Sequence, residues 1–131
     1  MIRHKNNKMK FFLSIIACLY FVNLFAQPRT TVTYETKLKV ADMSAKAGDY
    51  YNAIDWFDKA YDESKDPNLQ VAMADLYVLA RDYRRAEQIY TRLLKRDKEK
   101  EFEDIRPALA SVYKYQGKYK EALAEYELIL G

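Results

Sequence analysis

The sequence has very little of the residues that form turns, disulfides and metal sites. Its 131 residues include three glycines, three prolines, one cysteine and one histidine. So few glycines and prolines argue against collagen-like chains, flexible linkers and β-sandwiches, which need many turns. Half of the residues are apolar and 31% are charged, which favours a single α-helical domain with a modest core.

The first 26 residues have the layout of an export signal. Residues 1–10 contain four basic residues and no acid, and residues 11–26 are almost wholly apolar. A basic region, a short apolar stretch and a small residue before the polar Gln27 are typical of a secretory signal peptide. We therefore predict cleavage after Ala26. The alternative is an uncleaved anchor, although the apolar run is shorter than the roughly 20 residues of a membrane span.

The single cysteine lies inside this apolar run and allows another interpretation. The sequence Ile15-Ile16-Ala17-Cys18 resembles a bacterial lipobox, in which the cysteine is acylated and becomes the new N-terminus. The mature chain would then begin with an apolar run at Leu19, where lipoproteins usually have a polar tether. The sequence favours Cys18 as a small apolar residue of the signal peptide. Contact with a membrane is expected only through this signal peptide or a lipid on Cys18.

Cleavage after Ala26 would change the charge and the chemistry of the chain. The removed segment holds four of the 22 basic residues, the histidine and the cysteine, which leaves 18 basic against 19 acidic residues. A near-neutral chain does not support a nucleic-acid binder. Without histidine or cysteine, it has no Cys–His nucleophile pair, no zinc site of the usual kind and no disulfide. We therefore expect a protein that is not an enzyme and uses no cofactor or metal.

The rest of the chain repeats itself. Residues 46–53, 79–86 and 115–122 are alike, and their final alanines are 33 and 36 positions apart. A fixed period of this length indicates stacked helical hairpins. Apolar residues spaced by three and four on both sides of each stretch predict six helices. Their expected ranges are about 35–47, 50–64, 67–80, 83–97, 104–116 and 119–130.

This pattern resembles the tetratricopeptide repeat family, whose unit is a pair of antiparallel helices. The resemblance covers residues 34–131, after a short linker at 27–33, and gives units at 34–66, 67–102 and 103–131. It implies an all-α solenoid of three helix pairs, with small residues where paired helices touch and aromatic residues beside them. The residues that carry the signature are Ala41, Gly48, Tyr50, Ala53, Phe57, Ala60, Ala74, Tyr77, Tyr83, Ala86, Tyr90, Ala110, Tyr113, Gly117, Tyr119, Ala122 and Tyr126.

Several positions depart from the family pattern. Arg81 stands where the other two turns have glycine, which costs about 1 kcal/mol if the site requires a left-handed backbone. Asp49 and Asp82 are placed to cap the second helices of their units. Pro107 is compatible with a fifth helix that begins near Asp104, since proline is tolerated in a first turn. The bulky residue usual at repeat position 4 is replaced by Lys37, Gln70 and Arg106.

In this family the first helices of the units line a concave groove that binds another protein or a peptide. The resemblance implies a groove with an apolar floor and two aspartates, suited to a peptide with apolar anchors and a basic residue. The alternative is that Val71, Val78 and Leu79 only pack between neighbouring helices. The implied groove residues are Leu38, Asp42, Ala45, Lys46, Val71, Asp75, Val78, Leu79, Ala108, Ser111, Lys114 and Tyr115.

Charge is distributed unevenly along the repeats. Residues 81–100 hold eight basic residues against four acids, whereas residues 35–66 hold eight acids against five bases. The fourth helix and the loop after it are therefore expected to form a basic strip beside an acidic first unit. A solvated surface with favourable neighbouring charges is the preferred explanation. The alternative is a contact with an acidic partner or an anionic envelope polymer.

The sequence ends directly after the apolar residues 128–130, without a capping helix. Repeat arrays need terminal caps with a polar outer face. We therefore expect Leu123, Tyr126 and Leu130 to be partly uncovered, and the reading frame to continue past Gly131.

An export signal followed at once by such repeats also resembles the front part of larger bacterial envelope proteins. Some of these end in a peptidoglycan-binding domain of the outer-membrane-protein-A type, and some belong to type nine secretion and gliding machinery. The expected function is a non-catalytic scaffold for protein–protein interaction in the periplasm. Two alternatives stay open: a lipoprotein acylated at Cys18 that acts in outer-membrane assembly, and accessory repeats of a hydrolase whose catalytic domain lies elsewhere.

Overall fold

The structure is a computed structural model that describes residues 31–131, and all regular structure within that range is helical. The predicted six helices and the all-α fold are confirmed, and the helix bounds differ from the predicted ones by at most two residues. The predictions for the signal peptide and for Cys18 lie outside the described residues. The helices are α1 Tyr34–Lys46, α2 Tyr50–Ser64, α3 Pro67–Leu79, α4 Tyr83–Arg96, α5 Arg106–Tyr115 and α6 Tyr119–Leu130, with a short 3-10 turn at Glu103–Ile105 before α5.

The helices pack in chain order, as expected for stacked hairpins. The pairs α1 and α2, α3 and α4, and α5 and α6 are each joined by a short turn, and α2 also packs on α3 and α4 on α5. Small side chains let the paired helices approach closely. The alanines predicted at these contacts are buried: Ala41, Ala53, Ala74, Ala86 and Ala110 are 0% exposed, and Ala122 is 4% exposed.

The three turns inside the helix pairs share one backbone geometry. In each turn the residue before the second helix donates its amide to a carbonyl five residues earlier, as in Asp82 to Tyr77 at 2.8 Å. This pattern ends a helix through one residue with a left-handed backbone. That residue is Gly48 with φ 80°, Arg81 with φ 60° and Gly117 with φ 75°. Arg81 therefore has the left-handed backbone that was the condition for the expected strain.

Side-chain caps fix the start of several helices. Asp49 accepts a hydrogen bond from the amide of Asn52, and Asp82 accepts one from the amide of Arg85, so both predicted caps are confirmed. Lys118, at the corresponding place before α6, has no capping side chain. Pro107 lies in the first turn of α5, where its missing amide costs no helical hydrogen bond.

The two charged residues at repeat position 4 form ion pairs across their own helix pairs. Lys37 contacts Glu63 of α2 at 2.5 Å. Arg106 contacts Glu125 of α6 at 2.8 Å and Glu103 at 2.5 Å, and its side chain is only 17% exposed. Ion pairs here take the place of the usual bulky side chain.

Most of the buried apolar side chains form two clusters, one at each junction between units. The first junction, between α2 and α3, holds Ala53, Ile54, Met73 and Leu76. The second junction is larger and holds Ala74, Ala86, Tyr90, Leu93, Ile105, Leu109 and Val112. The half-buried Tyr77 and Ile89 pack against both clusters, so the core is continuous along the three units.

The aromatic signature residues are not all buried. Tyr90 is 0% exposed, and the residues of the first two units at these positions are buried or half-buried. Tyr119 and Tyr126, which the sequence assigned to the repeat core, are 69% and 39% exposed. The reason is that no described helix follows α6, whereas α3 and α5 cover α2 and α4. Leu123 and Leu130, at 58% and 86%, are uncovered as expected.

Candidate protein-binding surface

The candidate groove residues of the first unit lie along α1. Leu38 is half-buried, whereas Asp42 and Lys46 are exposed. These two are joined by an ion pair of 2.5 Å one helical turn apart. An exposed pair of this kind contributes little to stability, so both charges remain accessible to a partner.

The candidates on α3 divide into packed and exposed side chains. Val71 and Val78 are half-buried and pack against the cluster of the second junction. Most of each of these two side chains therefore packs between neighbouring helices and is not available to a ligand. Leu79 is 58% exposed at the end of the helix. It is the apolar candidate on α3 that has surface left for a ligand.

Asp75 is tied to the core by a residue from the next helix. The buried hydroxyl of Tyr90 donates a hydrogen bond to the carboxylate of Asp75, which itself lies at the surface. Burial first, and then the neighbouring carboxylate, raise the pKa of Tyr90 well above its usual range, so the hydroxyl stays a neutral donor. The carboxylate is thereby held in a fixed orientation.

The candidates on α5 include one exposed aromatic side chain. Tyr115 is 59% exposed and stacks on Tyr83, with ring centres 5.0 Å apart and ring planes at 22°. The ammonium of Lys114 lies 5.9 Å from the centre of the Tyr115 ring. Ser111 is half-buried and donates its hydroxyl to the carbonyl of Pro107 at 3.0 Å, a bond within its own helix. Stacking holds the ring of Tyr115 in place while leaving it open to a partner.

A charged contact at the second junction was missed by sequence reasoning. Lys118 contacts the carboxylate of Glu87 at 2.7 Å, and the side-chain amide of Gln116 donates to it at 2.6 Å. Partial burial acts to raise the pKa of Glu87, but these hydrogen bonds and the charge of Lys118 outweigh it and lower the pKa. Two signals were available in the sequence. Lys118 stands where the other units have a capping aspartate, and Glu87, about one repeat earlier, stands where the first unit has the apolar Ile54.

The described residues show no arrangement typical of a metal centre or a membrane span. Within 31–131, no three histidine, cysteine, aspartate or glutamate side chains are grouped to hold a metal ion. No helix in this part of the chain is long and apolar enough to cross a membrane. The described surface has exposed apolar side chains and charged side chains on its helices.

Stacked helix pairs with shared turn geometry define a helical-repeat protein of the tetratricopeptide-like class. Residues 46–128 match the family described as anaphase-promoting complex, cyclosome, subunit 3, a family of such repeats, and the match spans more than half of the chain. The chain belongs to this family. Repeats of this kind are typically non-catalytic and generally mediate protein–protein interaction. No curated protein matches the sequence.

Proposed function

We propose that this chain is a non-catalytic scaffold that binds another protein or a peptide through the exposed side chains of α1, α3 and α5. The observation that carries the proposal is the exposure of Leu79 and Tyr115, at 58% and 59%. Both are the thirteenth residue of their unit, so two large apolar side chains recur at equivalent places. Exposed apolar anchors that recur on the first helices of successive units suit a peptide with apolar residues.

The charges beside these anchors indicate what else the peptide carries. Asp42 and Asp75 are exposed carboxylates, and Asp75 is oriented by the Tyr90 hydroxyl. A carboxylate that accepts one hydrogen bond keeps further acceptor sites. A basic residue of the ligand is therefore expected near Asp75.

The test is site-specific photo-crosslinking in the native host. A photoreactive amino acid at Leu79 or Tyr115 should capture the same partner, and the same group at the exposed Ala124 of α6 serves as the control. Leu79→Asp should abolish capture from the Tyr115 position, because both anchors contact one ligand. Capture of different proteins from the two positions, or equal capture from Ala124, would contradict the proposal.

We further propose that this scaffold works in the bacterial cell envelope. The support is the basic and apolar layout of residues 1–26. Cell fractionation should find the protein in the periplasm, and N-terminal sequencing should begin at Gln27. A chain that carries labelled palmitate on Cys18 would favour the lipoprotein alternative, and a cytoplasmic chain that still begins at Met1 would exclude export.

A further inference from the structure

The outward faces of α2 and α4 carry opposite charges, and at two equivalent repeat positions Asp62 and Glu63 of α2 correspond to Lys95 and Arg96 of α4. The acidic face of α2 is interrupted by one base, Lys59, whose ammonium lies 4.4 Å from the centre of the half-buried Trp56 ring. The basic face of α4 has no acid on it, and all members of both faces are exposed. The acidic face consists of Asp55, Asp58, Asp62 and Glu63, and the basic face of Arg84, Arg92, Lys95 and Arg96.

The two faces do not neutralise each other within one chain. Asp55, Asp62 and Glu63 pair with lysines of the first unit at 2.5 to 2.9 Å, in partly or largely exposed pairs that are individually weak. Among the described residues, no carboxylate lies within 4.0 Å of a cation of the basic face. The basic face therefore keeps its full charge for an acidic surface outside the chain.

A cleft of about 440 Å³ separates the two faces, and α3 forms its floor. Met73 and Tyr77 lie at the floor, and Ile54 and Ile89 line the walls. Tyr51 stands at one end of the cleft and is 55% exposed. The surface thus has an apolar centre between two charged rows, the anatomy of a protein interface.

We propose that this surface binds a second copy of the chain about a twofold axis parallel to α2 and α4. The two helices belong to successive units and run in the same direction, so such an axis over the cleft sets each acidic face on the basic face of the other copy. Asp62 then meets Lys95 of the other copy, its equivalent in the next unit, and Asp58 lies about one residue from the level of Arg92. An axis across the helices would place like charges together, which is unfavourable.

The size of the surface sets the expected strength of the dimer. The helices have 15 and 14 residues, so each is about 22 Å long and, with its side chains, about 10 Å wide. This contact is small beside obligate interfaces, which bury more than about 2,000 Å². The dimer is therefore reversible and weakens with salt, because exposed charge pairs are screened.

This surface shares no residue with the proposed binding surface on α1, α3 and α5. On α3 itself, Gln70, Met73 and Tyr77 line the cleft, whereas Val71 and Asp75 lie on another side of the helix. The dimer proposal and the proposed scaffold function can therefore be tested and refuted separately.

The test is a charge swap read by sedimentation equilibrium of the chain as purified after its natural processing. The wild-type chain should form dimers that dissociate as salt is raised. Asp58→Lys with Asp62→Lys, and separately Arg92→Glu with Lys95→Glu, should each raise the dissociation constant about tenfold or more, since every reversal acts twice in a symmetric dimer. An equal mixture of the two variants should dimerise again, because the reversed acidic face then meets the reversed basic face.

The control Lys39→Glu with Lys120→Glu makes the same charge change as the Arg92→Glu and Lys95→Glu variant, at exposed sites on α1 and α6, and should leave the dimer intact. Circular dichroism and urea midpoints report whether each variant is folded. A wild-type chain that stays monomeric at high concentration, or a mixture that does not restore the dimer, overturns the proposal. A monomer that binds a fluorescent glutamate-rich peptide through Arg92 and Lys95 would replace the second copy with a foreign acidic partner.

Discussion

The two junctions between the three units use the same repeat frame but different chemistry. The first junction packs Ile54 against Met73 and Leu76. The second junction has a larger buried cluster and adds the contact of Glu87 with Lys118 and Gln116. Equivalent positions in a repeat can therefore be filled by an apolar side chain in one unit and by half of an ion pair in the next.

This difference decides how each junction responds to conditions. Apolar burial does not depend on protonation, whereas a contact through a carboxylate does. The second junction should therefore be the more stable at neutral pH and the more sensitive to acid. Four sets of variants test the difference between the two junctions.

The largest effect is expected from Leu109→Ala in the second junction. Leu109 is 1% exposed in a cluster of seven buried residues, so its truncation should lower the free energy of unfolding by about 3 to 4 kcal/mol. Ile54→Ala at the first junction should cost about 2 to 3 kcal/mol, because Ile54 is 7% exposed and its cluster is smaller. Urea denaturation of both variants measures the difference. The reverse order would show that the first junction is the stronger.

Tyr90→Phe removes the hydroxyl that reaches Asp75 and should lower the free energy of unfolding by about 1 kcal/mol. The loss is moderate because water can solvate the surface carboxylate once the hydroxyl is gone. The matched control is Tyr113→Phe, since the Tyr113 hydroxyl bonds to no described side chain and its ring packs on the same cluster. Equal losses in both variants would deny the hydrogen bond a specific role.

Arg81→Gly should raise the free energy of unfolding by about 0.5 to 1 kcal/mol, because glycine adopts a left-handed backbone without strain. The reciprocal change, Gly117→Ala, should lower it by a similar amount. A β-carbon at Gly117 would meet no atom within 4 Å, so only the backbone conformation is tested. Thermal melts of both variants give the answer, and a destabilised Arg81→Gly would show that the arginine side chain makes stabilising contacts that outweigh its backbone strain.

The smallest effect is the acid sensitivity of the second junction. The folded-state pKa of Glu87 is lowered, so its contribution to stability is present above the ordinary glutamate range and is lost as the pH falls through the folded pKa. The side chain of Lys118 is 39% exposed, which keeps the effect modest. Glu87→Gln should flatten the acid limb of the pH–stability profile, whereas Ile54→Val at the first junction should leave its shape unchanged. A profile unaltered by Glu87→Gln would refute the assignment.

Much of the fold could be predicted because each sequence feature of the repeat unit occurs three times. Helical spacing, turn residues and small residues recur in phase, and the aspartates before α2 and α4 are local signals read within four residues. The candidate surface was less accessible to such reasoning. A rotation of one helix by a single residue moves Val71 from the surface into packing, and periodicity alone does not fix that angle.

Contacts between side chains from different helices could not be predicted. The hydrogen bond from Tyr90 to Asp75 joins residues 15 apart, and the pair of Glu87 and Lys118 joins residues 31 apart. Neither spacing is a helical neighbour, so the first contact depends on how the two helices of one unit pack and the second on how neighbouring units stack. The exposure of Tyr119 follows from the same cause, because burial of an aromatic repeat position requires the helix of the next unit.

The place of Trp56 gives the molecule a built-in optical reporter. It is the single tryptophan of the chain, it lies on α2, and its ring is contacted by Lys59 of the acidic face. Fluorescence excited beyond the absorption of tyrosine therefore reads the surroundings of α2 alone, without a label and without a signal from the third unit. A change in that emission with protein concentration would report assembly. An emission that stays unchanged while the second junction is lost would show that unfolding begins at the third unit.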